Sequence, residues 1–296
     1  LYRLKSFILL LLLHSSIAYA QKVGLVLSGG GASGLAHIGV LKALEENNIP
    51  IHYIGGTSIG AMIAGAYAMG YTVKQIDSIV KTPTFLRASQ GIKDEKYLYY
   101  FNNYELNSSW INLNFNPSSI LTSLPTSLKN PHEMDFNIIE YYGRATSLNP
   151  NFDSLMIPFR SVAANITDRE LVIFKKGNFP EAIKASFAYP FYLKPVTIDG
   201  KIFVDGGLYN NFPADVIEKE FNPDVIIGSN VSGATEPPTP DNLLSQVRNM
   251  MTTPTQFEIN CENSVMIEPN VGYIDVFAFD DPGIIILEGY NAAQNK

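Results

Sequence analysis

Ser58 lies in the stretch "YIGGTSIGAMIAG", with Gly56 and Gly60 on either side as Gly-x-Ser-x-Gly. A serine between two glycines, after an apolar run and before small residues, can sit on a turn tight enough to project Oγ as a nucleophile. A serine in that place can also simply cap the helix that follows. The first reading requires more of the chain: a base, and a group that stabilises developing negative charge.

In hydrolases with this elbow the base is a histidine later in the chain. Of four histidines, His14, His37 and His52 precede Ser58, and His132 falls in an aromatic-rich stretch where no strand end would present it. A carboxylate is the remaining candidate. Asp205 ends the β-rich run "KIFVD", and Gly206 and Gly207 after it leave the backbone free to bring the acid against another segment. Asp199, in an Asp-Gly turn, and Asp224, opening a strand after Pro223, are the alternatives. A carboxylate of ordinary pKa, about 3.9, is a weak base, so a Ser/Asp pair needs burial of the acid or concerted proton transfer.

Gly29, Gly31 and Gly34 form Gly-x-Gly-x-x-Gly between an expected strand and an expected helix. A dinucleotide could use this loop, but it also needs a carboxylate about twenty residues on, at the end of the second strand. That region reads "YIGGTSIG" and has none. An oxyanion needs only backbone N–H groups near a helix N-terminus, which Gly29, Gly30, Gly31 and Ala32 can supply. With Ser58 and Asp205, the loop describes acyl transfer: attack on an ester carbonyl, an oxyanion held by amides, and an acyl-enzyme released by water.

The elements around these residues alternate. Val23 to Leu27 reads as a strand, and "LAHIGVLKALEENN" as an amphipathic helix with Leu35, Ile38, Leu41 and Leu44 on one face. Ile51 to Ile54 reads as a second strand and Ser58 to Met69 as a second helix. This βαβ order predicts an α/β fold with helices on a mostly parallel sheet. Two strands are expected around the turn at Thr167-Asp168, a short helix in "PEAIKASFAYPFYLKPV" broken by Pro190 and Pro195, and further strand segments in "KIFVDGGLYNNFPADVI" and "PDVIIGSNVS". Residues 83 to 157 have no clean period and carry Tyr97, Tyr99, Tyr100, Phe101, Tyr104, Trp110 and Phe115; these rings either pack on the core or line an acyl groove or membrane contact.

The first twenty residues stand apart. Arg3 and Lys5 precede the apolar run Phe7 to Leu13, and Ala18-Tyr19-Ala20 offers a cleavage site before Gln21, the layout of a secretory signal peptide. We therefore expect a signal peptide over 1–20, one domain over 21–296, and an exported protein, periplasmic or secreted. Without Arg3 and Lys5, 19 basic residues face 28 acidic ones, a formal charge of −9, which argues against nucleic acid as a partner. Cys261 is the only cysteine, so no intrachain disulfide can form, and none lies near residue 20 to carry a lipid. Leu1 in place of methionine leads us to expect a longer parent, with a membrane-anchoring domain beyond Lys296 as one continuation and outer-membrane association as its consequence.

In order and spacing, "GGGASG", "GTSIG" and "DGG" resemble the patatin-like phospholipase family, in particular its exported bacterial members. The resemblance extends to "GLAHIGVLKAL", "ASFAYPFYLKPV", "NNFP" and "DVFAFDD…EGYNAA". It implies a three-layer α/β/α sandwich and hydrolysis of lipid acyl esters without a metal or other cofactor. It also implies Ser58 as nucleophile, Asp205 as base, and an oxyanion loop at Gly29, Gly30, Gly31 and Ala32 supported by Gly34, Gly56, Gly60, Gly206 and Gly207. Ser33 stands where many members carry a cation, a difference that bears on headgroup preference. The expected partner is a phospholipid or other lipid at a membrane surface. Lysophospholipase, carboxylesterase and acyltransferase activities use the same pair; a nucleotide-binding module and an inactive lipid-binding protein are the readings from other classes.

Overall fold

The computed structural model describes residues 21–92, 131–148, 151–232, 237–241 and 257–296, with single positions at 246 and 249. The expected signal peptide and the aromatic set from Tyr97 to Phe115 lie outside the described residues.

The first strand, β1 (Val23–Leu27), is wholly buried. Leu25 and Leu27 join one core and Val26 another, because successive side chains point to opposite faces and both faces are covered. It pairs in parallel with β2 (Tyr53–Thr57) and with β7 (Val225–Ser229). Five strands run parallel: β3 (Phe159–Asn165) beyond β2, and β8 (Ser264–Ile267) beyond β7, complete the set. The antiparallel strands β4 (Glu170–Phe174) and β6 (Lys201–Asp205), with β5 (Val196–Ile198) paired to β6, make the sheet mixed.

β2 runs three residues further than the sequence reading, which ended it at Ile54. Gly55 and Gly56 resemble turn residues in sequence, but they are strand residues under close-packed helices. A Cβ on Gly55 would press on Ile217, and one on Gly56 on the backbone of Gly60.

Helix α7 (Ala214–Phe221) covers one face of the sheet, packing Ile217 with Val26 and Ile226. The other face carries a short 3-10 turn (Gly31–Leu35), α1 (Ala36–Glu46), α2 (Ile59–Ala68), α6 (Phe179–Phe187) and the C-terminal α8 (Pro282–Gln294). Further out, α3 (Val73–Val80), α4 (Pro83–Gln90) and α5 (His132–Leu148) pack along α2.

The register of β3 positions the site. Ser161 and Val162 pair with both β2 and β4, and Ala163 to Asn165 with both β4 and β6. A strand has two edges, so β4 takes one of them and β2 and β6 share the other, end to end. Thr57 lies opposite Val162 and Asp205 opposite Ala163. The last residues of β2 and β6 therefore meet at one point of β3, although they are far apart in the chain.

Candidate active site

Ser58 is the single residue between β2 and α2, with φ 56° and ψ −127°. Such a backbone costs on the order of 1–3 kcal/mol and persists only where its surroundings enforce it. Three bonds do so: Thr57 Oγ1 donates to the Asn210 carbonyl at 2.8 Å, Ser58 N–H to Ser186 Oγ at 3.0 Å, and Met62 N–H to the Ser58 carbonyl at 3.1 Å. The Ser58 side chain does not cap α2. Its hydroxyl donates instead to Asp205 Oδ2 at 2.6 Å.

Both members of that pair are buried, Ser58 6% and Asp205 4% exposed. Asp205 Oδ1 accepts from the Gly207 N–H at 2.8 Å, and the Asp205 N–H is held by the Ala188 carbonyl at 2.9 Å. Burial pushes the Asp205 carboxyl up to about 6, partly offset by its bonds from Ser58 and Gly207. Among the described residues no cation pairs with it. Asp199 stays exposed in the β5–β6 turn, and Asp224 accepts from the Lys22 N–H before β7; neither approaches Ser58. His132 is an exposed residue at the start of α5.

The four loop amides are not equivalent. Gly29 N–H donates to the Asn211 carbonyl at 3.0 Å and Ala32 N–H to the Val276 carbonyl at 2.8 Å, whereas Gly30 and Gly31 N–H have no partner among the described residues. Gly31 has φ +60°, and a side chain there would strike the Val276 carbonyl; a Cβ on Gly29 would lie 3.2 Å from Ser58 Cβ. Gly34 packs on Ile59, Gly60 on the Leu27 and Ser28 carbonyls, and Gly206 on the Val162 carbonyl.

A buried polar network ties this loop to the end of β7. His37 Nε2 lies 2.9 Å from the Ser28 carbonyl, which can only accept, so Nε2 carries the proton and Nδ1 accepts from Ser229 Oγ at 2.8 Å. Burial lowers the imidazole to about 4, against a smaller upward effect of the Ser28 bond, so His37 is neutral. Ser28 Oγ accepts from Val231 N–H at 2.9 Å, and Ser33 Oγ donates to the Gly30 carbonyl at 2.8 Å. Sequence reasoning missed the supporting roles of His37, Ser186, Asn211 and Val276. For His37 a signal existed, a polar residue beside the buried face of its helix; the other three act through long-range contacts.

The assembly can move a proton from Ser58 to a carboxylate of raised affinity beside two open amides. Among the described residues no group of three or more His, Cys, Asp or Glu side chains is placed to hold a metal ion.

The chain is similar to several proteins. Lysophospholipase NTE1 of Yarrowia lipolytica is 31% identical over 204 residues, 69% of this chain and 12% of that protein. The NTE1 lysophospholipase of Kluyveromyces lactis is 34% identical over 193 residues, 65% of this chain and 11% of that one. The patatin-like phospholipase domain-containing protein ZK370.4 of Caenorhabditis elegans is 32% identical over 206 residues, 68% and 13% of the two chains. This chain thus spans only a small part of their length. The crystal structure of VipD from Legionella pneumophila aligns with a TM-score of 0.49 at 17% identity, covering 93% of this chain and 66% of that one. The family pattern described as Patatin-like phospholipase matches residues 25–217, from β1 into α7, and the chain belongs to the patatin-like phospholipase family.

Proposed function

We propose that this protein hydrolyses lipid acyl esters with Ser58 as nucleophile and Asp205 as its base. The observation that carries the reading is the 2.6 Å bond from Ser58 Oγ to Asp205 Oδ2 at the shared edge of β3. Ser58 Oγ attacks the ester carbonyl carbon while its proton passes to Asp205. The carbonyl oxygen becomes an oxyanion, held by the Gly30 and Gly31 amides; losing one such donor costs about 2.7–4 kcal/mol of transition-state stabilisation. Collapse breaks the ester bond, and Asp205 returns the proton to the leaving alcohol. Water, deprotonated by Asp205, then attacks the acyl-enzyme, releasing the fatty acid and restoring Ser58. The pair works as drawn only while Asp205 is ionised, above about pH 6.

A lysophospholipid is the first substrate to try, because the NTE1 relatives carry the name lysophospholipase. The matching domain and the family membership support the wider class of phospholipids and simple carboxylic esters. Export is a further part of the proposal and rests on the leader-like residues 1–20, and a bacterial source on the motif resemblance alone; the sequence relatives compared above come from fungi and a nematode. An intact mass beginning at Gln21 in the exported fraction is the expected result, and a retained leader there refutes it.

Activity-based labelling with a fluorophosphonate, on the native protein and on Ser58→Ala, tests the reading. Labelling and release of fatty acid from a lysophospholipid and phospholipid panel are expected in the native protein, and both vanish in the variant. Equal labelling of the two would remove Ser58 from the reaction.

A further inference from the structure

Two loops hold the partners of Ser58 in place. One follows α6, where the Ala188 carbonyl accepts the Asp205 N–H at 2.9 Å. The other precedes α8, where the Val276 carbonyl accepts the Ala32 N–H at 2.8 Å and Val276 lies against Gly31, one of the two residues with an open amide. The next residue of each loop is aromatic, and the two rings meet. Tyr189 and Phe277 pack edge to face, with centroids 5.9 Å apart and planes at 79°. Tyr192 lies flat on the same Phe277 ring, at 3.6 Å and 13°. A closed chain of contacts therefore runs from Ser58 through Asp205, Ala188, Tyr189 and Phe277, and returns through Val276 and the glycine loop, which lies against Ser58 at Gly29.

The sequence builds this bridge locally. Asp275 caps the turn that presents the ring: its Oδ1 accepts the Phe277 N–H at 2.9 Å and its carbonyl accepts the Ala278 N–H at 3.0 Å. Both loops are then anchored on the end of α4. Tyr192 donates its hydroxyl to the Ser89 carbonyl at 2.8 Å, Gln90 Nε2 donates to Asp280 Oδ1 at 2.7 Å, and Phe279 packs on Phe85 with centroids 6.0 Å apart. Phe279, 3% exposed, is the core anchor of its loop. Phe277 is half-buried and sets its ring against the other loop instead.

We infer that Phe277 is a positioning residue, whose ring clamps the loop that holds Asp205 to the loop that holds the glycine turn and so fixes the spacing of base and oxyanion amides around Ser58. The inference rests on the reading of Ser58 as an ester-cleaving nucleophile. Proton transfer to Asp205 and charge development at Gly30 and Gly31 occur in the same step, so both sides must be aligned at once. Without the ring, the Val276 carbonyl and the Gly31 backbone it sets are free to shift. A displacement of about 1 Å at a reaction centre can cost on the order of a hundredfold in rate.

The test measures hydrolysis of p-nitrophenyl butyrate by the native protein, Phe277→Leu, Tyr192→Leu, Phe277→Tyr and Arg160→Met, the last weakened far from the bridge. Fluorophosphonate labelling taken to completion counts the competent sites, so that rates are compared per site and unfolded molecules drop out. Phe277→Leu keeps apolar bulk but cannot lie flat on Tyr192, and is expected to lower kcat and kcat/KM together by about tenfold, the mark of an interaction that matters only in the transition state. Tyr192→Leu, which removes the stack from the other loop, should show a loss of the same kind. Phe277→Tyr keeps the ring and should keep most of the rate, and Arg160→Met should keep all of it. A native rate per site in Phe277→Leu overturns the inference, as does a raised KM at unchanged kcat or an equal loss in Phe277→Tyr or Arg160→Met. Absence of both hydrolysis and labelling in the native protein overturns the ester-cleaving reading itself, and this inference with it.

Discussion

Asp205 and Arg160 both carry charge into the central sheet, and the fold treats them in opposite ways. Near the start of β3, Arg160 is 4% exposed; its Nη1 meets Asp153 at 2.6 Å, its Nε meets Glu220 at 3.0 Å, and its guanidinium lies 4.4 Å over the Phe221 ring. Burial alone would raise the Glu220 carboxyl, but Arg160, with Lys175 beyond it, holds that group below the ordinary range. At the other end, where β2 and β6 converge, Asp205 is equally buried with, among the described residues, only a hydroxyl and an amide for company, and its affinity for protons rises. Compensation keeps a charge inert; leaving it out produces a carboxylate able to take a proton near neutral pH.

The largest effect is expected at the uncompensated end. Asp205→Asn should lower turnover by about a thousandfold, within the range for loss of a general base. The same change should stabilise the protein. Ionising Asp205 in place, with its pKa raised from 3.8 to about 6, costs about 3 kcal/mol relative to the unfolded chain. Because the folded pKa is the higher one, native stability is lost as pH rises between about 4 and about 6. The gap to the variant therefore opens over that range and is full above it. Denaturant unfolding of both proteins across pH reads it directly; equal stability at every pH would mean that Asp205 is not strained by burial.

His37 has the opposite sign. Its pKa is lowered from 6.5 to about 4, so it contributes about 3 kcal/mol that is complete above about pH 6.5 and lost as pH falls toward 4. The two contributions cancel in part in the native protein, and Asp205→Asn should expose the His37 loss as a steeper decline in acid. Adding His37→Gln should flatten that decline, as measured by denaturation midpoints. Third in size, Arg160→Met should cost about 2 kcal/mol, below the ~3–5 of a fully buried pair because Glu220 and Asp153 keep some solvent contact. Turnover per folded molecule should not change. Smallest, Ser186→Ala removes the acceptor of the Ser58 N–H and should cost about 1 kcal/mol, with a turnover loss near tenfold as the turn relaxes.

Only the Asp205 side of this contrast was legible in the chain. The glycine loop, the Gly-x-Ser-x-Gly elbow and the carboxylate closing "KIFVD" are local patterns, and the search for a base among four histidines led to Asp205 by their positions. What sequence could not provide was registry. Nothing local says that β6 returns antiparallel to lie end to end with β2 on β3, yet that pairing brings residues 58 and 205 together. Gly55 and Gly56 carried a turn signal although they belong to β2, because the close helix packing that needs them is tertiary. For the same reason the loop amides looked alike until Asn211 and Val276 occupied two of them.

The rate at which a fluorophosphonate labels Ser58, followed from about pH 5 to about pH 8 in the native protein and in Asp205→Asn, bears most directly on the pairing of hydroxyl and carboxylate. The expected result is a native rate that climbs with pH until Asp205 is ionised near 6 and then levels, and a slow rate without that inflection in the variant. A variant labelled as fast as the native protein, with the same pH profile, would contradict the account.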